Sequence, residues 1–331
     1  MYKVTLSMPI YNVAPYVERA LLSALNQTFE SIEFLLVDDR GTDNSMEIVR
    51  RIIKDHPRGK DVRIIEHLHN IGTGAARNTA IDNAQGEYLF FMDSDDEITP
   101  DCIQVLYDRM IECPVDFVAG SMCEVTNDSK TIDRVLMNTT RKGKFALSTY
   151  IYKDKKYFPI MLWNKLYNLK FLRINHIRCY DSHLNEDDIF SLRLSYYVRS
   201  FSFTSKITLK YFRIDTSTTG NINLINTERI LRQEKDIIVE LNKYLDIYSR
   251  EGIYPYYLSF IIRVLFFLCL RFVKYGYGGD MRKEKVVNNL YLLDINNWEV
   301  LRFMHKDIKT LMAFVYLIFP YKMKKIISRY Y

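Results

Sequence analysis

Apolar and polar positions along the first hundred residues alternate between two periods. Apolar-rich runs of strand length fall at 3–8, 33–37, 62–66 and 87–92. Two of them, Phe34-Leu35-Leu36-Val37 and Tyr88-Leu89-Phe90-Phe91-Met92, are apolar throughout. Strands buried on both faces read this way. Segments with helical spacing separate the runs, at 14–26, 44–55 and 73–84. Strand–helix–strand repetition with short connections predicts a mostly parallel sheet covered on both faces. A helix at 100–113 and a strand at 116–119 continue the pattern, and shorter mixed segments follow, β-rich at 122–135 and 201–213. From Leu224 onward apolar and aromatic residues keep helical spacing. The expected division is therefore an α/β domain over 1–220 and a helical region over 221–331.

Ligands of such sheets bind outside the carboxyl ends of the strands, and the acidic clusters fall there. Asp38-Asp39 follows the second run, and Asp93-Ser94-Asp95-Asp96 follows the fourth. Three carboxylates in four residues repel one another, so a buried strand end keeps them only with a counter-charge. In extended chain Asp93 and Asp95 point the same way. Two such oxygens can hold Mg²⁺ or Mn²⁺ while phosphate oxygens complete the shell. A solvated helix N-terminus accounts for the same residues, and Asp-x-Asp alone leaves both readings open.

Other segments converge on the same ends. Ser7-Met8-Pro9-Ile10-Tyr11-Asn12 closes the first strand and offers a ring for base stacking. Val37-Asp38-Asp39-Arg40-Gly41-Thr42-Asp43 is an acidic, glycine-containing turn, and Asn70-Ile71-Gly72-Thr73-Gly74-Ala75-Ala76-Arg77-Asn78 opens a helix with small residues, Arg77 projecting from its first turns. The Gly-x-Gly here follows the third strand and lacks a third glycine, which disfavours a dinucleotide-binding dehydrogenase. Asn185-Glu186-Asp187-Asp188-Ile189-Phe190 opens a segment, 186–197, with helical apolar spacing. Acidic residues suit a helix N-terminus on their own account. No Cys/His spacing supports a zinc centre.

Taken in order, SMPIYN, VDDRGTDNS, NIGTGAARN, FMDSDD and NEDDIF resemble glycosyltransferase family 2, inverting enzymes of the GT-A fold, across about residues 1–215. The resemblance implies a Rossmann-like mixed sheet flanked by helices, a nucleotide-sugar donor, with UDP the usual nucleotide, and a Mn²⁺ or Mg²⁺ ion. By family position, Pro9, Tyr11 and Asp39 line the base pocket, with Asp39 hydrogen-bonding the base. Arg77 lies against base or diphosphate, Asp93 contacts the ribose, and Asp95 holds the metal. Asp187 is the general base, beside Glu186. The similar Trp-Asn-Lys-Leu-Tyr segment of relatives puts Trp163 and Lys165 on the acceptor side, although Trp163 reads equally as core. Arg213, with Ser217, Thr218 and Thr219, is a further candidate for the diphosphate or acceptor. One departure stands out: Arg40-Gly41 occupies the positions where the family has Gly-Ser, which bears on how Asp39 is set.

Charge and composition add the surroundings. Residues 1–200 hold 25 Lys/Arg against 28 Asp/Glu, and residues 201–331 hold 21 against 12. A basic final third points to an anionic surface or to a solvated basic face. Nucleic acid explains that third but none of the acidic motifs. The apolar stretch 256–273 is broken by Arg263 and Arg271, and 311–319 ends at Pro320, short of the ~20 apolar residues of a spanning helix. Buried helices and an interfacial helix both fit. Lys322, Lys324, Lys325 and Arg329 favour docking at an anionic leaflet, as does a lipid-linked glycan acceptor. Five scattered cysteines without a Cys-x-x-Cys pair and a start without a signal-peptide core suggest a reduced, cytoplasmic setting, peripheral at the inner face of the membrane. The expectation is a transferase building surface polysaccharide. The competing reading is a non-catalytic nucleotide-sugar or glycan-binding protein, which would not need Asp95 and Asp187 together.

Overall fold

Strand β2 (Ile32–Asp38) is buried along its whole length, as an apolar run between two layers requires. It lies beside β1 (Val4–Ile10) and β3 (Val62–Glu66), and β1 also pairs with β4 (Tyr88–Phe91), all in parallel. The computed structural model describes residues 2–126, 130–180, 186–213, 227–275, 308–318 and 324. The chain divides into two compact units, Met1–Leu147 with Pro159–Gly220, and Ser148–Phe158 with Asn221–Tyr331.

In the first unit the strand order is β3-β2-β1-β4-β9-β6-β10-β5. Its second half is β5 (Glu97–Ile98), β6 (Phe117–Val125), β9 (Lys165–Asn168) and β10 (Ser200–Phe212), with β7 (Thr131–Arg134) on β6 and β8 (Thr139–Lys142) on β10. Strand β9 runs antiparallel to both β4 and β6, so the sheet is mixed: the parallel run β3-β2-β1-β4 expected from the opening pattern ends at β9, and β6 and β10 pair in parallel beyond it. Side chains alternate across β1. Leu6, Met8 and Ile10 join the core beneath α1 (Val17–Leu25) and α4 (Cys102–Glu112). The opposite face carries α3 (Thr73–Asn83), which packs on β1 and β2. Helix α1 starts at Val17, later than its apolar spacing suggests, because Ala14 precedes Pro15 and so disfavours helical backbone. The Ala14 N–H is instead bound by the Asp43 carboxylate at 2.8 Å. Helix α2 (Ser45–Asp55) follows β2, and the chain continues through a turn of helix, α5 (Ala146–Ser148), to α6 (Leu169–Ile174) and α7 (Glu186–Tyr197).

The second unit contains α8 (Thr227–Tyr248), α9 (Tyr254–Tyr275) and α10 (Ile308–Ile318). The two apolar stretches of the final third supply its interior: Leu258, Ile261, Ile262 and Leu265 of α9, and Ala313, Phe314 and Leu317 of α10, are buried. Tyr257 Oη donates to the Leu241 carbonyl at 3.1 Å, and the Ser259 and Thr310 hydroxyls lie 2.8 Å apart. Tyr256, Phe267, Met312 and Val315 stay exposed. Among the described residues no helix is long and apolar enough to cross a membrane.

Candidate active site

The adjacent ends of β2, β1 and β4 bring three of the sequence motifs together. After β1, Asn12 adopts a left-handed backbone, φ 50°, and its Oδ1 accepts from Thr42 N at 2.7 Å and Asp43 N at 3.3 Å. This ties the β1 loop to the β2 loop and leaves Tyr11 44% exposed beside them. Pro9 lies within β1, opposite Val37. Gly41 is needed here, because a Cβ would come within 2.8 Å of Asn12 N. Arg40 stands where the family has glycine and itself takes the left-handed conformation, φ 58°. Its guanidinium donates to Glu66 and to the His67 carbonyl, at 2.9 and 2.6 Å. These bonds offset the cost of a side chain at positive φ, so the turn survives the substitution.

Asp39 is buried, and its carboxylate holds the next loop. Oδ1 accepts from Ile71 N at 3.0 Å and Oδ2 from Gly72 N at 2.9 Å. His67 Nδ1 lies 2.7 Å from Oδ1, and its Nε2 lies 2.9 Å from Thr79 Oγ1. Of roughly four lone-pair directions on a carboxylate, three are used. Gly72 caps α3 at φ 98°, a conformation that favours glycine. Gly74, Ala75 and Ala76 then let the helix lie close to the sheet, and Arg77 is carried inward to 3% exposure.

Arg77 joins the two halves of the candidate site. Its Nη2 donates to Asp93 Oδ1 at 2.7 Å, and its Nη1 donates to Glu186 Oε1 and Asp187 Oδ1, both at 2.8 Å. Burial opposes the charge on the guanidinium. Asp93, Asp187 and Glu186 outweigh that and raise its pKa well above the ordinary range. One residue further, Asn78 exchanges two bonds with the Cys179 backbone, at 3.1 and 2.9 Å. The segment before α7 is thereby strapped to α3. Phe190 of α7 packs edge-on against Phe91 and Tyr167. Burial pushes the Asp187 carboxyl up to about 7; Arg77 opposes the rise, and Glu186 and Asp93 add to it. Lys165 on β9 is fully buried, its Nζ donating to the Met161 carbonyl, and burial pushes its pKa down to about 7 against the pull of Asp187.

The third cluster is denser than Asp-x-Asp. Carboxylate oxygens of Asp93, Asp95 and Asp96 all lie within 4.8 Å of one another. Asp96 Oδ1 accepts from Phe212 N at 3.0 Å, while Oδ2 is buried without a partner. Burial, then Asp95 and Asp93, raises its pKa well above the carboxylate range. Asp95 is pushed up to about 6, by burial first and Asp93 second. Arg19 supports the turn: it donates to the Asp95 carbonyl at 2.6 Å and lies 3.6 Å over the Phe212 ring. An unpartnered buried oxygen within a crowded all-oxygen set fits a hard divalent cation.

Not every candidate joins this centre. Trp163 is 5% exposed, packed in the core and stacked on Tyr211 at 5.6 Å. Arg213 is exposed and pairs with Glu124 at 2.9 Å. Ser217, Thr218 and Thr219 lie outside the described residues. Three contributors were not singled out from the sequence. Asp96 was visible as the last carboxylate of its run, whereas His67 and Arg19 carried no signal, because their roles depend on pairings between distant segments.

A family model, Glycosyl transferase family 2, matches residues 5–190. The chain belongs to this family. It is 30% identical over 261 residues to the putative glycosyltransferase EpsH of Bacillus subtilis, covering 73% of each chain. It is also 30% identical over 175 residues to the glycosyltransferase GlyA of Streptococcus pneumoniae, covering 51% of this chain and 25% of that one. Chondroitin synthase of Pasteurella multocida is 36% identical over 115 residues, 33% of this chain and 12% of that one. The crystal structure of S. aureus TarS 1–349 with UDP-GlcNAc superposes with a TM-score of 0.71 at 18% identity, covering 95% of this chain and 90% of that chain. The fold is GT-A, with a helical C-terminal region, and the protein is a family 2 glycosyltransferase.

Proposed function

We propose that this enzyme transfers a sugar, with inversion, from a UDP-sugar to a hydroxyl of a saccharide or lipid-linked glycan during surface polysaccharide synthesis. The observation that carries the reading is the Arg77 bridge, which holds the Glu186–Asp187 pair against Asp93 at the end of β4. Polysaccharide synthesis and the UDP donor draw their support from relatives, among them chondroitin synthase and the TarS complex with UDP-GlcNAc.

In this reading Pro9 and Tyr11 flank the nucleotide base, and Asp39 offers it the remaining lone pair. Asp93 meets the ribose. Asp95, with Asp96 beside it, would hold Mn²⁺ or Mg²⁺. The bound ion supplies positive charge against that growing on the departing diphosphate. Asp187 accepts the proton of the acceptor hydroxyl as its oxygen attacks the anomeric carbon. The bond to the nucleoside diphosphate breaks on the opposite face, which inverts the centre. Lys165 supports the acceptor side by its charge near Asp187. The second unit meets an anionic membrane surface at the cytoplasmic face. Its α9 and α10 carry Arg263, Arg271, Lys274 and Lys309 and no acidic residue, and present Tyr256, Phe267, Met312 and Val315 outward.

A thermal-shift panel of nucleotide sugars with and without Mn²⁺ tests the donor. Binding to the native state raises Tm, so UDP-sugars are expected to stabilise only with the metal. A mass-resolved assay for donor hydrolysis then separates an enzyme from a binding protein. A panel in which no nucleotide sugar binds would sink the proposal.

A further inference from the structure

We propose that Arg77 is a positioning residue for Asp187 rather than a contact to the donor, its guanidinium holding the acceptor-side carboxylates in place against Asp93. The inference rests on the reading of Asp187 as the base, and departs from the family expectation that this arginine lies against the nucleotide.

The geometry leaves Arg77 little to offer a nucleotide. Nη1 is shared between Glu186 and Asp187 at 2.8 Å each, Nη2 donates to Asp93 at 2.7 Å, and Nε, which has no partner among the described residues, is buried out of a ligand's reach. Its side chain is 3% exposed, whereas those of Asp93 and Asp187 keep 29% and 25% of their surface. The carboxylates therefore face the open side, and the guanidinium stands behind them. Planar, forked donors suit this task. One rigid group on α3 fixes three acidic side chains, two from α7 and one from the end of β4. Asn78, next in the chain, ties the same helix to the backbone that leads into α7. Helix α3 thus sets both the direction and the charge of the Glu–Asp pair.

The charge consequence follows from what surrounds Asp187. Among the described residues, Arg77 faces it from α3, Asp93 from the end of β4, and Lys165 and Tyr167 from β9, with Cys179 and the adjacent Glu186 beside them. Arg77 is the first of the cations acting on it, ahead of Lys165. Without Arg77 the carboxylates repel one another in a buried place, so Asp187 keeps its proton to higher pH. An opposite charge this close shifts a carboxyl by about 1–3 pH units.

The test does not depend on turnover. Protein carrying ¹³C-carboxyl aspartate is titrated by infrared spectroscopy, and the Asp187 band is assigned by its loss in Asp187→Asn. In Arg77→Met the midpoint of that band is expected to rise by about one pH unit or more, while UDP affinity with Mn²⁺, measured by calorimetry, falls far less than in Asp95→Ala, since only the support of Asp93 is lost. Arg77→Lys keeps a charge but not the fork, and serves where Arg77→Met does not fold; its midpoint is expected to rise by less, in the same direction. An unmoved midpoint overturns the proposal, most directly if UDP affinity collapses, which would return Arg77 to the donor. An enzyme that transfers no sugar but shows the shift would count against Asp187 as base and leave the positioning role standing.

Discussion

Asp39 Oδ2 accepts a hydrogen bond from the buried N–H of Gly72 at 2.9 Å, and through it the end of β2 sets the start of α3. Gly72 is the cap of that helix, and Arg77 is carried inward from it five residues later. The bond therefore lies upstream of the whole charged centre. Its removal leaves a buried donor without a partner, which costs about 1–3 kcal/mol. Asp39→Ala is expected to lower unfolding free energy by at least that range, measured by urea denaturation, and to weaken UDP binding. Unchanged stability would mean that the loop is held by other contacts.

The crowding of Asp93, Asp95 and Asp96 makes a metal prediction. If Asp95 holds a Mn²⁺ or Mg²⁺ ion that UDP binding depends on, excess chelator abolishes transfer and weakens UDP binding. Asp95→Ala reproduces both losses without unfolding the protein, since it also relieves repulsion on Asp96. Full transfer in excess chelator refutes the assignment.

For the second unit, the outward Met312 and Val315 of α10, with Lys322, Lys325 and Arg329 beyond it, predict docking on anionic vesicles; Lys324, expected to join them, is buried and contributes no surface charge. Binding is expected to fall as salt rises, because surface attraction is screened over about 8–10 Å near physiological ionic strength. Removing residues 310–331 is expected to release the protein from vesicles and to leave donor hydrolysis intact. Since Ala313, Phe314 and Leu317 are buried, the truncation also tests the helix as core. Aggregation instead of release would show that packing, not lipid, is its main role.

The parallel half of the sheet was legible because apolar runs buried on both faces leave an unambiguous pattern, and because acidic clusters at strand ends mark where such sheets bind ligands. Strand β9 was not. It is four residues long and lies within a segment whose Trp163 and Lys165 read as acceptor-side chemistry. In the fold Trp163 packs against Tyr211, and Asn164 Nδ2 donates to the Gly120 and Ser121 carbonyls at 2.9 and 3.0 Å. The motif residues Asp93, Arg77, Glu186 and Asp187 were all readable, yet their joining through one guanidinium was not. Local sequence says which groups are acidic; only the folded sheet says that Arg77 stands between them. The same holds for His67, whose partners Asp39 and Thr79 lie 28 and 12 residues away.

Asp187 supplies the sharpest test, because its protonation and its chemistry can be read separately. A base works only when ionised, and burial pushes this carboxyl up to about 7. Transfer is therefore expected to rise with pH through about 7 and to level off above it, falling roughly tenfold per unit on the acid side. Lys165, pushed down to about 7, titrates in the same window, so the observed midpoint belongs to the coupled pair. Lys165→Met removes a positive charge that favours the ionised carboxylate, and so moves the midpoint upward. Asp187→Asn keeps shape and the bond from Arg77 but accepts no proton. Transfer in this variant is expected to drop by about 10²–10⁴-fold, with the acid limb abolished and UDP affinity nearly unchanged. Asp188→Asn is expected to be mild, since a charge at a helix N-terminus is worth ~0.3–1 kcal/mol. Glu186→Gln is expected to be intermediate, because Glu186 shares Nη1 of Arg77 with Asp187. Near-normal transfer by Asp187→Asn, with loss in Glu186→Gln or Asp188→Asn, would move the base to the neighbouring carboxylate.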